Sequence, residues 1–265
     1  MVNPSYKTGF APRDYEPRYP SLWRDCSGAF CPSLGASGST LMDHSGYRRH
    51  SPITSDTLST LWTHDGAYFD GTDKVVVPHD YAAKPPEVDE ITFSCWLTRD
   101  QGTAKSLCTS APSYGTPSFF CQITATGALK LYRSTYKTSV ATIAVAAGVW
   151  RHVAVSNGNS RTRFYIDGKI SDEQTQGAGL NRQSQFVFGD GFAGMWIGGL
   201  DDIMVHNRVL TDTEVALLAM RKRIAYEPRL PTYGYVAAGG GGGGSFDRHW
   251  TNYGKRARRL VPTAE

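Results

Sequence analysis

The strongest constraint on this chain is a series of short apolar or alternating runs, each bounded by Gly, Pro, Asn or Asp. They include Tyr68–Phe69, Val75–Val77, Ile91–Thr98, Phe119–Thr124, Leu129–Arg133, Trp150–Ser156, Arg163–Ile166, Phe186–Phe188 and Leu200–Val205. Runs this short, this evenly spaced and this rich in aromatic and β-branched residues predict a sandwich or barrel of strands. Asn157-Gly158 lies between the runs that end at Ser156 and start at Arg161, and Asp167-Gly168 follows Phe164-Tyr165-Ile166. Both pairs tolerate the positive φ angles of a tight two-residue turn, so both predict hairpins. Within Trp150–Ser156, residues Trp150, Val153 and Val155 alternate with Arg151, Ala154 and Ser156, which is the pattern of a half-buried strand.

Composition supports the same class. Aromatic residues make up 12% and charged residues 20% of 265 residues, with 28 Gly and 14 Pro, which suits many strands and turns better than a helical bundle. One segment departs from the β pattern. Leu210-Thr211-Asp212-Thr213-Glu214-Val215 places Thr at an N-cap and Glu three residues later, predicting a capping box and a helix from Asp212 to Arg223. Acidic residues at its start and Arg221, Lys222 and Arg223 at its end would complement the helix dipole, and Pro228 and Pro231 would stop it.

The chain divides into three regions. Residues 1–20 carry four prolines and interleaved aromatics but too few aliphatics for a core, and read as an extended arm. Residues 21–226 hold the strand runs. Residues 227–265 contain the glycine run Gly239–Gly244, which loses much backbone entropy on ordering, followed by a basic and aromatic tail. That tail is either solvated or touches a partner, and in the docking reading Phe246, Trp250, Tyr253, Lys255, Arg256, Arg258 and Arg259 are the residues expected to dock on a partner subunit. No apolar run reaches the roughly 20 residues of a membrane span, and the polar start Met1–Tyr19 does not read as a signal peptide. Five cysteines are an odd number and are expected to be buried, reduced thiols, although Cys26 and Cys31 are close enough in sequence to pair.

Five segments in order resemble the laminin-G-like branch of the concanavalin A-like lectin/glucanase superfamily over Leu22 to Arg223. They are Asp43-His44-Ser45-Gly46; Phe69-Asp70-Gly71-Thr72-Asp73 with Val75–Pro78; Ile91–Leu97; Trp150–Val155 with Tyr165-Ile166-Asp167-Gly168; and Gly199–Val205 with Asn207-Arg208, Leu210-Thr211 and Glu214-Val215. The resemblance implies an all-β jelly-roll sandwich with one short C-terminal helix, flanked here by the two extended arms. Leu22–Gly35 and the Arg-rich tail also resemble laminin-G-like proteins encoded among the structural genes of tailed bacteriophages. That likeness implies a virion protein assembled in host cytoplasm, oligomeric in the particle, with both arms on other virion proteins.

Glucanases of this superfamily carry Glu-x-Asp-x-Glu or Glu-x-Asp-x-x-Glu on a strand, with the outer carboxylates flanking the scissile bond. The nearest stretch, Glu87-Val88-Asp89-Glu90-Ile91-Thr92, has Ile91 and Thr92 where the second Glu belongs. No nucleophile elbow, phosphate loop or zinc-protease helix is visible, and the seven histidines lack metal-ligand spacing, so the chain is expected not to be an enzyme. The resemblance implies no cofactor or a single structural calcium, at positions matching Asp70, Asp201 and Asp202. The expected role is head decoration, collar or fibre component. The alternative is an adhesion module holding host-surface glycan in the loops Ser110–Ser118 and Gly189–Trp196, through Tyr114, Phe192 and Trp196. Nucleic acid is not an expected partner.

Overall fold

The computed structural model of the chain describes residues 17–34, 40–55, 61–78, 90–109, 120–133, 135–143, 146–158, 160–175, 185–190 and 194–229. Its strands, in chain order, begin with β1 (Cys26–Phe30), β2 (Thr40–Leu41), β3 (Ser51–Ser55), β4 (Leu61–Thr63), β5 (Gly66–Asp70) and β6 (Asp73–Pro78). The middle of the chain supplies β7 (Ile91–Arg99), β8 (Lys105–Thr109), β9 (Phe120–Ile123), β10 (Ala128–Arg133) and β11 (Thr135–Thr142). Then come β12 (Ala146–Gly158), β13 (Arg161–Ile166), β14 (Lys169–Thr175), β15 (Gln185–Phe188), β16 (Ile197–His206) and the helix α1 (Asp212–Met220). They form two eight-stranded sheets, one ordered β14-β13-β12-β7-β16-β5-β4 with β1 also on β16, the other β11-β10-β9-β8-β15-β6-β3-β2. All the pairings are antiparallel. This is the sandwich that the strand runs and the five motifs predict.

Both hairpins form, one of them displaced. Ile166 pairs with Lys169, leaving Asp167 and Gly168 in the turn at φ 49° and 76°, the left-handed pair that a tight hairpin needs. The other turn is not at Asn157-Gly158. Gly158 still pairs with Arg161, so the turn falls beyond Gly158, and Ser160 takes φ 59°. Asn157 stays in the strand because its side-chain amide donates to Thr162 Oγ1 at 2.7 Å. A Cβ on Gly158 would strike Val209 and Glu90, so close packing of the strand, and not the turn, uses this glycine.

The interior holds Phe93, Leu97, Val153, Val155, Phe164 and Ile203 from the first sheet against Val75, Leu107, Ile123, Leu129, Leu131 and Phe188 from the second. Successive strand residues point to opposite faces, so Ala154, Tyr165 and Met204 leave this core for a second one. There they pack with Leu22 and Trp23 from the N-terminal segment, Val215 and Leu218 of α1, and Ile224–Tyr226 beyond it. The expectation of a half-buried β12 is therefore corrected from His152 onward: Ala154 is 0% and Ser156 1% exposed, because α1 and the segments before β1 and after α1 cover the outer face, whereas Trp150 and Arg151 stay half-buried. All five cysteines are free and buried, and Cys26 and Cys31 are not paired.

Helix α1 opens as the capping box requires. Thr211 Oγ1 accepts the Glu214 amide at 3.2 Å, and Glu214 Oε2 accepts the Thr211 amide at 2.9 Å. Its end differs from expectation, since it stops at Met220 and Arg221 is extended. Arg221, Lys222 and Arg223 do not line its last turn. They pair instead with Glu227, the Asp65 carbonyl, and Asp202 and Ser33, tertiary partners that outcompete the dipole.

The domain also extends past its expected limits at both ends. Pro17 and Pro228 form an isolated bridge, the Arg18 amide donates to Glu227 O at 2.7 Å, and Trp23 Nε1 donates to Ala225 O at 2.8 Å. Residues 17–20 thus belong to the sandwich and not to an arm, and 227–229 close it.

Two arginines tie loops to this frame. Arg99, 2% exposed at the end of β7, donates to the carbonyls of Ile143, Thr124 and Ala125, with a longer contact to Thr103. Arg208 makes a bidentate pair with Glu214 at 2.7 and 2.8 Å and also donates to the Ser21 and Arg24 carbonyls.

Burial holds the imidazole of His206 down at about 4, despite its contact with Leu22 O at 2.8 Å. In the unfolded chain the same group has its ordinary value near 6.5, so protons favour unfolding and this contribution, complete above pH 6.5, is lost as the pH falls towards 4. It amounts to about 3 kcal/mol. A denaturant series between these pH values should show a shallower decline for His206→Gln than for the native chain; equal slopes would mean that His206 is not buried neutral.

Candidate functional site

Consecutive strand residues normally face opposite ways, yet Asp201 and Asp202 turn their carboxyls to one side. The pairing of β16 with β7 is irregular between Asp201 and Met204, and Asp202 has φ 45°, so a local bulge rotates the second carboxyl towards the first. Cys31, just beyond β1, meets them there because β1 runs antiparallel to β16 with Phe30 opposite Ile203. Its thiol donates to Asp202 Oδ1 at 2.8 Å and lies 3.7 Å from Asp201 Oδ1. One donor atom from each of the three residues lies within 4.8 Å of the others, and all three residues are buried.

Neighbouring loops complete this pole. The Ser33 amide, in the 3₁₀ turn Pro32–Leu34, donates to Asp201 Oδ1 at 3.1 Å, and the Arg223 amide donates to Asp202 Oδ2. Arg223 itself sits at φ 65° and its Nε donates to Ser33 Oγ at 2.8 Å. Lys222 Nζ stands 3.0 Å from the centre of the Trp150 ring and donates to Asp65 O at 2.6 Å. Trp150 fits because Gly66 and Gly199 carry no Cβ that would run into its ring. Asp201 Oδ2 is buried with no hydrogen-bond partner.

Burial dominates the electrostatics. It raises both Asp carboxyls, with Asp201 adding to the rise at Asp202. It also drives the Cys31 thiol up, reinforced by the two carboxylates, and lowers Lys222. An anion in this cluster is costly unless a cation sits beside it.

The three expected calcium positions do not come together. Asp70 is exposed at the end of β5, opposite Ile197, and its Oδ1 accepts the Thr72 amide and hydroxyl at 2.9 and 2.7 Å. It serves the turn at Gly71. A calcium ion takes 6–8 oxygens, whereas Asp201 and Asp202 stand beside a thiol, so these residues do not fit that ion. Cys31, 170 residues away from Asp201 in the chain, was not legible as a partner, since no local spacing links the two.

The expected glycan residues fare differently. Trp196 is 0% exposed within the interior core and cannot stack on a sugar. Tyr114 and Phe192 lie outside the described residues, as do Phe246, Trp250, Tyr253, Lys255, Arg256, Arg258 and Arg259. Trp96, half-buried, donates through Nε1 to Leu218 O under the helix, while Lys222 occupies one face of Trp150.

A two-sheet antiparallel sandwich carrying these motifs defines a lectin-like class of protein. The sequence profile of the concanavalin A-like lectin/glucanases superfamily matches residues 69–216, more than half of the chain, and the chain belongs to that superfamily. No curated protein matches it. Among solved structures it is similar to Trypanosoma rangeli sialidase, with 16% identity, a TM-score of 0.56, and coverage of 74% of this chain and 32% of that one. The same sialidase in complex with sialic acid matches at 14% identity, a TM-score of 0.56 and the same coverage. The binding domain of Botulinum neurotoxin DC in complex with rat synaptotagmin II matches at 15% identity and a TM-score of 0.58, covering 75% of this chain and 52% of that one. The chain thus spans about a third of the sialidase chains and about half of the toxin chain.

These neighbours correct the expectation that the chain is not an enzyme. A sialidase shares the sandwich, so the broken glucanase carboxylate spacing excludes only that one hydrolytic arrangement. Among the described residues, no helix is long and apolar enough to cross a membrane.

Proposed function

We propose that this chain is a structural component of a tailed-phage particle, at head, collar or fibre, assembled in host cytoplasm. It displays a lectin-like sandwich outward and docks on other virion proteins through its flanking segments. One observation carries the reading: the bridge between Pro17 and Pro228 brings the entry and exit of the sandwich together at one pole. Two tethers from one point fix a domain to a surface and leave its far side free, and two weak attachments joined this way act as one stronger one. The phage likeness of Leu22–Gly35 and the five free, buried thiols support the same reading.

The test is co-sedimentation with particles lacking this chain. Full-length protein should sediment with them, and a chain ending at Arg229, which keeps the Pro17–Pro228 bridge, should lose at least about 90% of that binding. Retained binding by a truncated chain whose near-ultraviolet circular dichroism is native would overturn docking through 230–265. The sialic-acid complex among the neighbours motivates the alternative, a glycan-binding adhesion module. Glycan-array binding that survives truncation, without particle binding, would favour it.

A further inference from the structure

We infer that Cys31, Asp201 and Asp202 form a zinc site of mixed thiolate and carboxylate ligands, built where β1, the bulge of β16 and the turn after α1 converge. It is independent of how the chain docks. A thiolate selects a borderline-soft ion such as Zn2+ over Ca2+, and four-coordinate zinc needs only three or four protein donors.

The geometry is close to what that ion requires. With Zn–S near 2.3 Å and Zn–O near 2.0 Å, sulfur and oxygen on one tetrahedral zinc stand about 3.5 Å apart. Cys31 Sγ lies 2.8 Å from Asp202 Oδ1 and 3.7 Å from Asp201 Oδ1, so these separations need change by less than about 1 Å. Asp201 is 0% exposed, and its Oδ2 has no hydrogen-bond partner, an orphaned acceptor that a cation would satisfy.

Charge is consistent as well. A thiolate and two carboxylates carry three negative charges, zinc removes two, and Lys222, attracted to both Asp201 and Asp202, compensates the third. Metal uptake releases the Cys31 proton that otherwise bonds Asp202, while the Ser33 amide still holds Asp201 Oδ1 and the Arg223 amide Asp202 Oδ2.

The test uses the full chain, reduced and stripped with a chelator, then titrated with zinc against a chromophoric competitor and, in parallel, with Co2+. One zinc per chain should bind at sub-micromolar Kd, and Co2+ should show a near-ultraviolet thiolate charge-transfer band of one-thiolate intensity. Cys31→Ser should abolish that band, and both it and Asp201→Asn should weaken zinc at least about tenfold. Excess Ca2+ should not compete. No tight zinc, binding without the band, or a band that persists in Cys31→Ser would each overturn the proposal. Should that variant fail to fold, the native cobalt spectrum and the Asp202→Asn affinity decide alone, loss of the band or unchanged affinity counting against the site.

Discussion

Replacing Arg99 by Met should destabilise the domain by about 2–4 kcal/mol, among the larger losses expected from one side chain. The methionine fills similar space but donates nothing, so the carbonyl of buried Ile143 loses its charged donor, while Thr124 O keeps the Gly127 amide at 2.9 Å and the exposed Ala125 carbonyl turns to water. Each bond from a charged donor contributes about 1.5–3 kcal/mol, and an orphaned acceptor costs its full desolvation. The guanidinium acts across chain distance, since the carbonyls lie 25, 26 and 44 residues from Arg99. Urea denaturation should show a lower midpoint with an unchanged slope. Arg99→Lys should recover little, because one ammonium cannot reach all of those carbonyls in their fixed positions. A loss below about 1 kcal/mol in Arg99→Met would mean that the cage does not form.

Arg208→Met should cost about 3–5 kcal/mol, because removing one member of a buried pair strands the other charge. The side chains of Arg208 and Glu214 are 9% and 11% exposed, and the same arginine holds the Ser21 and Arg24 carbonyls of the N-terminal segment. The variant should therefore loosen both that segment and the start of α1, visible as faster amide exchange at Leu22–Trp23 and Val215. Burial pushes the Glu214 carboxyl up, but the Arg208 and Thr211 bonds outweigh it and hold the group below its ordinary value. Its contribution is thus present above the unfolded carboxylate value and lost as the pH falls through the folded one, and Arg208→Met should weaken that acid dependence, leaving only what the Thr211 bonds supply. Replacing both partners by Met should restore part of the stability, since no charge is then left buried. A double variant as unstable as the single one would show that the carbonyl contacts, and not the ion pair, carry the effect.

The local elements were largely legible. Thr211 and Glu214 announce the capping box because a side chain three residues away can reach the free amides of the first turn, whatever the rest of the fold does. Asp167-Gly168 announces its turn for the same reason: both φ angles are set within two residues. The end of α1 was not legible, because Arg221–Arg223 choose between a helix dipole and partners at Glu227, Asp65, Asp202 and Ser33 that only the fold brings near. Trp196 illustrates the same limit from the other side. A tryptophan in a Gly- and Asp-rich loop reads first as an interior anchor and second as an exposed platform, and packing against the core decides for the anchor.

What the sequence alone determined was the class: strand runs of period two, the hairpin at Asp167-Gly168, the start of one helix, and motif order sufficient to indicate the superfamily. These follow from interactions a few residues long, which the chain encodes wherever it lies. Tertiary structure decided that β16 and the part of β12 from His152 onward bury both faces, that Asp70 stands apart, and that Cys31 joins Asp201 and Asp202. Those outcomes depend on register between distant strands and on one bulge that turns a side chain through the sheet, and no local pattern carries that information.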